Sequence, residues 1–264
     1  MFIRVSVALL TLTFIALAPA QGQDQPATAD TSPMIVTDRP SFTNSSIVVP
    51  AGSLQLENGF LETYNQGQNV VDGPETLLRF GIATKTELRL TVPDYFYNTS
   101  TGGGPGSGFG DMVIGVKHQF GPTPGGFDVS ATMFLSFPTG AKTVSSGGYD
   151  PGLQVAWSHG LPSKWTAAGM LAMYWPTQGQ SRNPTGQATF LVDRQLTGRW
   201  DAYIEYAGDF PTRDGTRQIL DVGTSLKLTK TQQLDFHFGE SLTGAANRFV
   251  GIGYSFRFQA VHRR

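Results

Sequence analysis

The chain has 264 residues, a formal net charge of −1, four His and no Cys. Without Cys there is no disulfide framework, thiolate metal site or haem-attachment motif, and near-neutral charge gives no electrostatic case for nucleic acid as a partner. Glycine is abundant at 32 residues against a usual ~7%, and charged residues make up 15% where ~25% is typical. No His pair has metal-ligand spacing, so neither a metal nor a cofactor is expected.

Residues 1–20 read as an export signal. Arg4 supplies a short basic region, Val5–Leu17 an apolar core, and Ala18-Pro19-Ala20 a cleavage site before Gln21. The apolar core is shorter than the ~20 residues a membrane-spanning helix needs. Residues 21–51 are rich in Thr, Ser, Asp, Gln and Pro and lack sustained alternation, giving an N-terminal leader or a plug. As a leader this segment lies in the periplasm. As a plug, Thr37–Asn44 folds into the mouth of a barrel, with Asp38 and Arg39 pairing to charges on its inner wall.

Residues 52–258 alternate with period two, which places one face of each segment in an apolar environment. Leu78, Phe80 and Ile82 alternate with Arg79 and Gly81; Thr86, Leu88 and Leu90 with Glu87 and Arg89; Leu234, Phe236 and Phe238 with Asp235 and His237. Short gaps fall at Ala83–Lys85, Phe120–Gly126, Gly160–Lys164, Leu196–Arg199 and Leu228–Thr231. Long gaps fall at Asn65–Pro74, Asn98–Gly108, Pro138–Asp150, Pro176–Gly186, Gly208–Arg217 and Glu240–Asn247. The fold expected is all-β, an antiparallel transmembrane β-barrel of about 12 strands with short periplasmic turns and longer extracellular loops. Many segments exceed the ~5–6 residues of a soluble strand and match the ~9–11 of a tilted spanning strand. Aromatics near segment ends, as in Tyr95-Phe96-Tyr97 and Tyr174-Trp175, fit an interfacial girdle. Asn58 and Glu62 fall on the apolar face of Ser53–Tyr64, which predicts a bulge there. Trp165–Trp175 is apolar on both faces, a short helix by that criterion, and counts as a strand to keep the total even.

The last strand ends Gly253-Tyr254-Ser255-Phe256-Arg257-Phe258, with Gly253, Phe256 and Phe258 spaced like the C-terminal signal read by the barrel-assembly machinery. Residues 259–264 extend past it as a tail. Outer-membrane lipid and that machinery are the expected partners, and the outer membrane the expected location.

Ile35-Val36-Thr37-Asp38-Arg39-Pro40-Ser41-Phe42-Thr43, followed by Val48–Glu57, resembles the opening of a Gram-negative outer-membrane family named for a meta-pathway of phenol degradation. Leu78–Ile82, Glu87-Leu88-Arg89, Gly108–Asp111 with Lys117, Phe137–Gly140 and the Gly253–Phe258 ending extend the resemblance over residues 35–258. It implies an exported barrel that transports a small-molecule solute, apolar or aromatic by the family's label, and implies no catalytic residues.

On the inward parity lie Arg79, Glu87, Arg89, Asp111, Lys117, Asp201, Glu205, Asp221, Lys227, Asp235 and His237. These are the candidates for lining a lumen and setting its selectivity. Twelve strands fall between side-chain-filled and open barrels, so paired charges filling the lumen are the rival reading. Both signs occur without sequence-adjacent pairing, which favours a hydrated patch around Arg79 and Arg89. Gly102–Gly108 and Gly140–Thr143 lack the Lys-Ser/Thr order of a phosphate loop. Ser158-His159 and the His118 and His237 positions form no triad in sequence. A channel or transporter is the leading reading. A barrel adhesin or scaffold acting through its loops, and an outer-membrane lipid hydrolase, are the alternatives.

Overall fold

The computed structural model describes residues 33–65, 68–99, 106–243 and 247–261. The export signal expected at 1–20, the leader up to residue 32, the glycine run at 102–105 and the tail beyond 261 lie outside the described residues.

Twelve antiparallel strands form one closed barrel. They are β1 (Ser53–Asn65), β2 (Gln68–Gly73 and Leu77–Ala83), β3 (Thr86–Thr91 and Tyr95–Asn98) and β4 (Gly108–Phe109 and Met112–Gln119). β5 (Phe127–Phe137), β6 (Asp150–Leu161), β7 (Trp165–Tyr174) and β8 (Thr185–Gln195) follow. β9 (Trp200–Pro211), β10 (Arg217–Lys227), β11 (Gln232–Ser241) and β12 (Asn247–Gln259) complete the wall. Each strand pairs with its neighbours in sequence. β12 returns to β1 in unbroken register, from Ser53 opposite Gln259 to Asn65 opposite Asn247. Pairing of the first strand with the last closes the wall, which removes the main aggregation hazard of a sheet.

The wall has its apolar side outward. Met133 is 71% and Leu171 66% exposed, whereas Arg79, Glu87 and Lys117 are 0% exposed. Exposed Leu88, Ile114, Ile204, Val222, Phe236 and Ile252 extend the apolar set around the circumference. In water this arrangement would strand charge in the interior and apolar surface in solvent; in a bilayer it satisfies both faces. Tyr95, Tyr97, Phe109, Tyr149 and Phe210 lie towards the long-loop end, and Phe120, Trp165, Trp200 and Phe258 towards the short-turn end, all exposed. The Tyr and Trp rings among them, each with a polar edge, fit the two membrane interfaces.

Two expectations are corrected. The long gap at Asn65–Pro74 is mostly strand: Gln68–Gly73 pairs with β1 and with Tyr95–Asn98 of β3. β1 carries no bulge, since its register with β12 never shifts; the irregularity is in β2. Leu61 faces Asp72 but Glu57 faces Leu77, so β2 has one more residue than β1 across Gly73–Thr76. That extra residue flips the parity of β2, which hid its outer half in the sequence. Asn58 points outward, where it bonds Thr76 Oγ1 and the Tyr254 carbonyl. The gap at Pro176–Gly186 contains its own two-residue hairpin, Thr177–Gln178 with Ser181–Arg182. Trp165–Tyr174 is a strand whose inner face buries Met170.

Residues 33–52 have no regular secondary structure and run inside the barrel, with Ile35, Val48 and Val49 buried. Irregular backbone at membrane depth survives only where protein satisfies its polar groups. The segment starts at the short-turn end, where Ile35 N–H donates to the Lys230 carbonyl at 2.7 Å. It rises to Arg39–Thr43 and descends to Gly52, whose N–H donates to the Gly81 carbonyl at 2.7 Å.

Candidate functional site

Wall side chains supply what the inserted backbone lacks. Glu57 accepts the N–H groups of Asp38 at 2.8 Å and Arg39 at 3.2 Å. Glu87 accepts Val49 N–H at 2.8 Å, and Gln119 accepts Val48 N–H at 3.2 Å. Arg79 donates to the Val36 carbonyl at 3.1 Å and the Ile47 carbonyl at 2.7 Å, joining the rising and falling arms. Gln55 Nε2 reaches the same Val36 carbonyl at 2.8 Å. Across the lumen, Glu205 Oε2 accepts Phe42 N–H at 2.8 Å, and Oε1 accepts Thr43 N–H at 2.6 Å and the Thr43 hydroxyl at 2.5 Å. Ser46 and Ser158 share a hydroxyl contact of 2.7 Å.

Asp38 is the hub. Its Oδ1 lies 3.3 Å from Arg79 Nη1 and 3.5 Å from Lys117 Nζ, and its Oδ2 bonds Arg89 Nη2. Ser45 N–H donates to Oδ1 at 3.0 Å. Arg79 also meets Glu57 Oε1 and Glu87 Oε1, both at 2.9 Å, and Arg89 Nη1 meets Glu87 Oε1 at 2.9 Å. Three cations therefore face two wall carboxylates and Asp38, and the cluster is neutral only with Asp38 in place.

Arg39 occupies the opposite flank. Its guanidinium pairs with Glu75 and lies 3.5 Å from Asp235 Oδ1. It rests on Gly59 of β1 and Gly253 of β12, which face each other across the closing seam. A Cβ on Gly253 would lie 2.5 Å from Arg39 Nε and 2.6 Å from Asp235 Oδ1, so this approach requires glycine. Phe42 packs edge-on against Phe249 with ring centroids 5.7 Å apart.

The sequence-selected residues thus divide. Arg79, Arg89 and Lys117 converge on Asp38, Glu87 pairs with both arginines, and all are buried, so the hydrated patch expected around the two arginines is corrected to a buried, paired cluster. Glu205 and Asp235 hold the segment apex. Asp221 accepts the Tyr203 hydroxyl at 2.7 Å and lies 3.6 Å from His237 Nδ1. Asp201 and Lys227 pair near the short-turn end. Asp111 does not join the cluster: β4 breaks at Gly110-Asp111, and its carboxylate accepts Gly140 N–H, the Ser145 hydroxyl and Ser146 N–H, tying down the next loop. Glu57, Gln55 and Glu75 were not singled out from sequence. The signal for the first two was the Ser53-Gln55-Glu57 alternation opposite Leu54 and Leu56. Ser158 and His159 are adjacent on a strand and point to opposite faces; Ser158 meets Ser46, while the His159 ring stacks on Phe127.

Two spaces flank the segment. A cavity of about 450 Å³ separates it from β6–β11 towards the short turns, bordered by Ser158, Leu191, Asp193, Tyr203 and Lys227. One of about 160 Å³ lies against β3–β6, bordered by Arg89, Thr132, Phe134 and Gln154. Asn44 borders both.

Solved structures share this architecture. An outer membrane channel from Pseudomonas putida F1 superposes with a TM-score of 0.66 at 15% identity, covering 83% of this chain and 100% of its own. The NanC porin gives 0.56 at 10% identity over 77% of this chain and 98% of its own, and the KdgM porin 0.54 at 10% over 76% and 99%. The fold is that of an outer-membrane barrel, with the membrane against its apolar outer face. No curated protein matches the sequence. Residues 37–258 match the family described as "Putative MetA-pathway of phenol degradation", and the chain belongs to that family.

Proposed function

We propose that the protein is an outer-membrane channel for small solutes whose lumen is closed by its own N-terminal segment, residues 33–50. The observation that carries this reading is the pair of cavities meeting at Asn44 on either side of the segment. The obstruction between them is a stretch of irregular chain held by hydrogen bonds, whereas a structural barrel would be filled by wall side chains. Porin and channel folds among the solved relatives support the same class.

Glu205 is the latch to test. Replacing one carboxylate oxygen by an amide nitrogen sets donor against donor at Phe42 N–H or Thr43 N–H and loosens the apex. In planar bilayers, Glu205→Gln is expected to spend more time open, or to open at lower voltage, than wild type. Absence of ion current from both proteins would sink the channel reading.

A further inference from the structure

We infer that the smaller cavity is a binding site for small carboxylates, and that Asp38 is the resident carboxylate with which they compete for Arg89. The inference rests on the channel reading and names its solute class.

Arg89 is the charged residue on the border of this 160 Å³ space. A guanidinium offers five N–H donors. Here Nη1 donates to Glu87 at 2.9 Å and Nη2 donates to Asp38. Its remaining N–H groups make no hydrogen bond among the described residues, and Arg89 is the least buried member of the cluster, at 10% of its side chain against 4% for Asp38 and 0% for Arg79 and Lys117. The other borders suit a small acid. Thr132 and Gln154 are hydrogen-bonding groups and Phe134 presents an aromatic ring. An engineered cavity of about 150 Å³ holds benzene, so the space admits one ring or a short chain.

Electrostatics selects the sign. With Asp38 engaged, the six charges of Arg79, Arg89, Lys117, Glu57, Glu87 and Asp38 cancel. Release of Asp38 leaves one uncompensated positive charge facing the cavity, and a solute carboxylate restores the balance. A neutral isostere of the same shape does not. The exchange of one carboxylate for another makes and breaks hydrogen bonds only, with no chemical step.

Titration calorimetry on refolded protein in detergent, with benzoate and its neutral analogue benzamide, reads this without requiring conduction. Wild type is expected to bind benzoate more tightly than benzamide. Asp38→Asn should tighten benzoate at least tenfold and leave benzamide unchanged, and Arg89→Gln should erase the difference between the two ligands. Equal binding of both in wild type and Asp38→Asn, or retained benzoate preference in Arg89→Gln, overturns the proposal. Should Asp38→Asn fail to fold in chloride buffer, refolding with benzoate but not benzamide supports the site, and rescue by neither overturns it. Ion conductance without carboxylate preference removes this inference and leaves the channel; carboxylate binding without conductance does the reverse.

Discussion

Asp38 shows how much a single side chain of the inserted segment supports. Removing one partner of a buried charge cluster typically costs about 3–5 kcal/mol, so Asp38→Asn is expected to lower stability by about that amount. Denaturant unfolding in detergent, followed by tryptophan fluorescence, measures the difference. At Gly253, an added methyl overlaps Arg39 and Asp235, and overpacking of this kind costs about 1–3 kcal/mol. Gly253→Ala should show that loss in the same unfolding assay. At this scale the sequence was partly legible. Inward parity picked out Arg79, Glu87, Arg89 and Lys117, and the plug reading of Thr37–Asn44 paired Asp38 with charges on the inner wall, but nothing in the spacing identified which of those charges it meets.

Strands were legible wherever the alternation ran unbroken, as in β5, β11 and β12, because a uniform lipid on one side and polar groups on the other impose a clean period of two. Legibility failed in β2, where the extra residue near Pro74 exchanges inward for outward positions, and nearly failed in β7, where Ala168 and Met170 make the inner face apolar too. The direction of the alternation is open to a decisive test. Met133 is exposed mid-strand on β5. In water an Arg there would change stability by no more than about 0.5 kcal/mol, whereas at mid-membrane it costs about 2–4 kcal/mol. Met133→Arg is therefore expected to impair assembly markedly, while Leu242→Arg, exposed between β11 and β12, should be tolerated. Equal tolerance would mean the outer face meets water.

The described residues form a closed wall with a folded interior, and closure has a recognisable signature. With its backbone donors and acceptors paired around the ring, the barrel should keep its compact form in SDS until boiled, moving faster on a gel unheated than heated, with nearly pure β circular dichroism. A single mobility at all temperatures would be incompatible with the closed ring. Strand number and wall polarity followed from gap lengths and parity. The content of the lumen did not, because the same inward charges serve a watered pore or a packed one, and the choice depends on where a non-periodic segment goes.

The position of Arg39 over the paired glycines Gly59 and Gly253 has a bearing on the order of events during biogenesis. Those two residues belong to the first and last strands, so the ledge that receives the guanidinium does not exist until the ends of the chain have met. Once they have met, Arg39 can take its place there, with the arms on either side of it held by Glu57, Glu87 and Glu205. The residue that caps the join is thus supplied by the segment that the ring encloses.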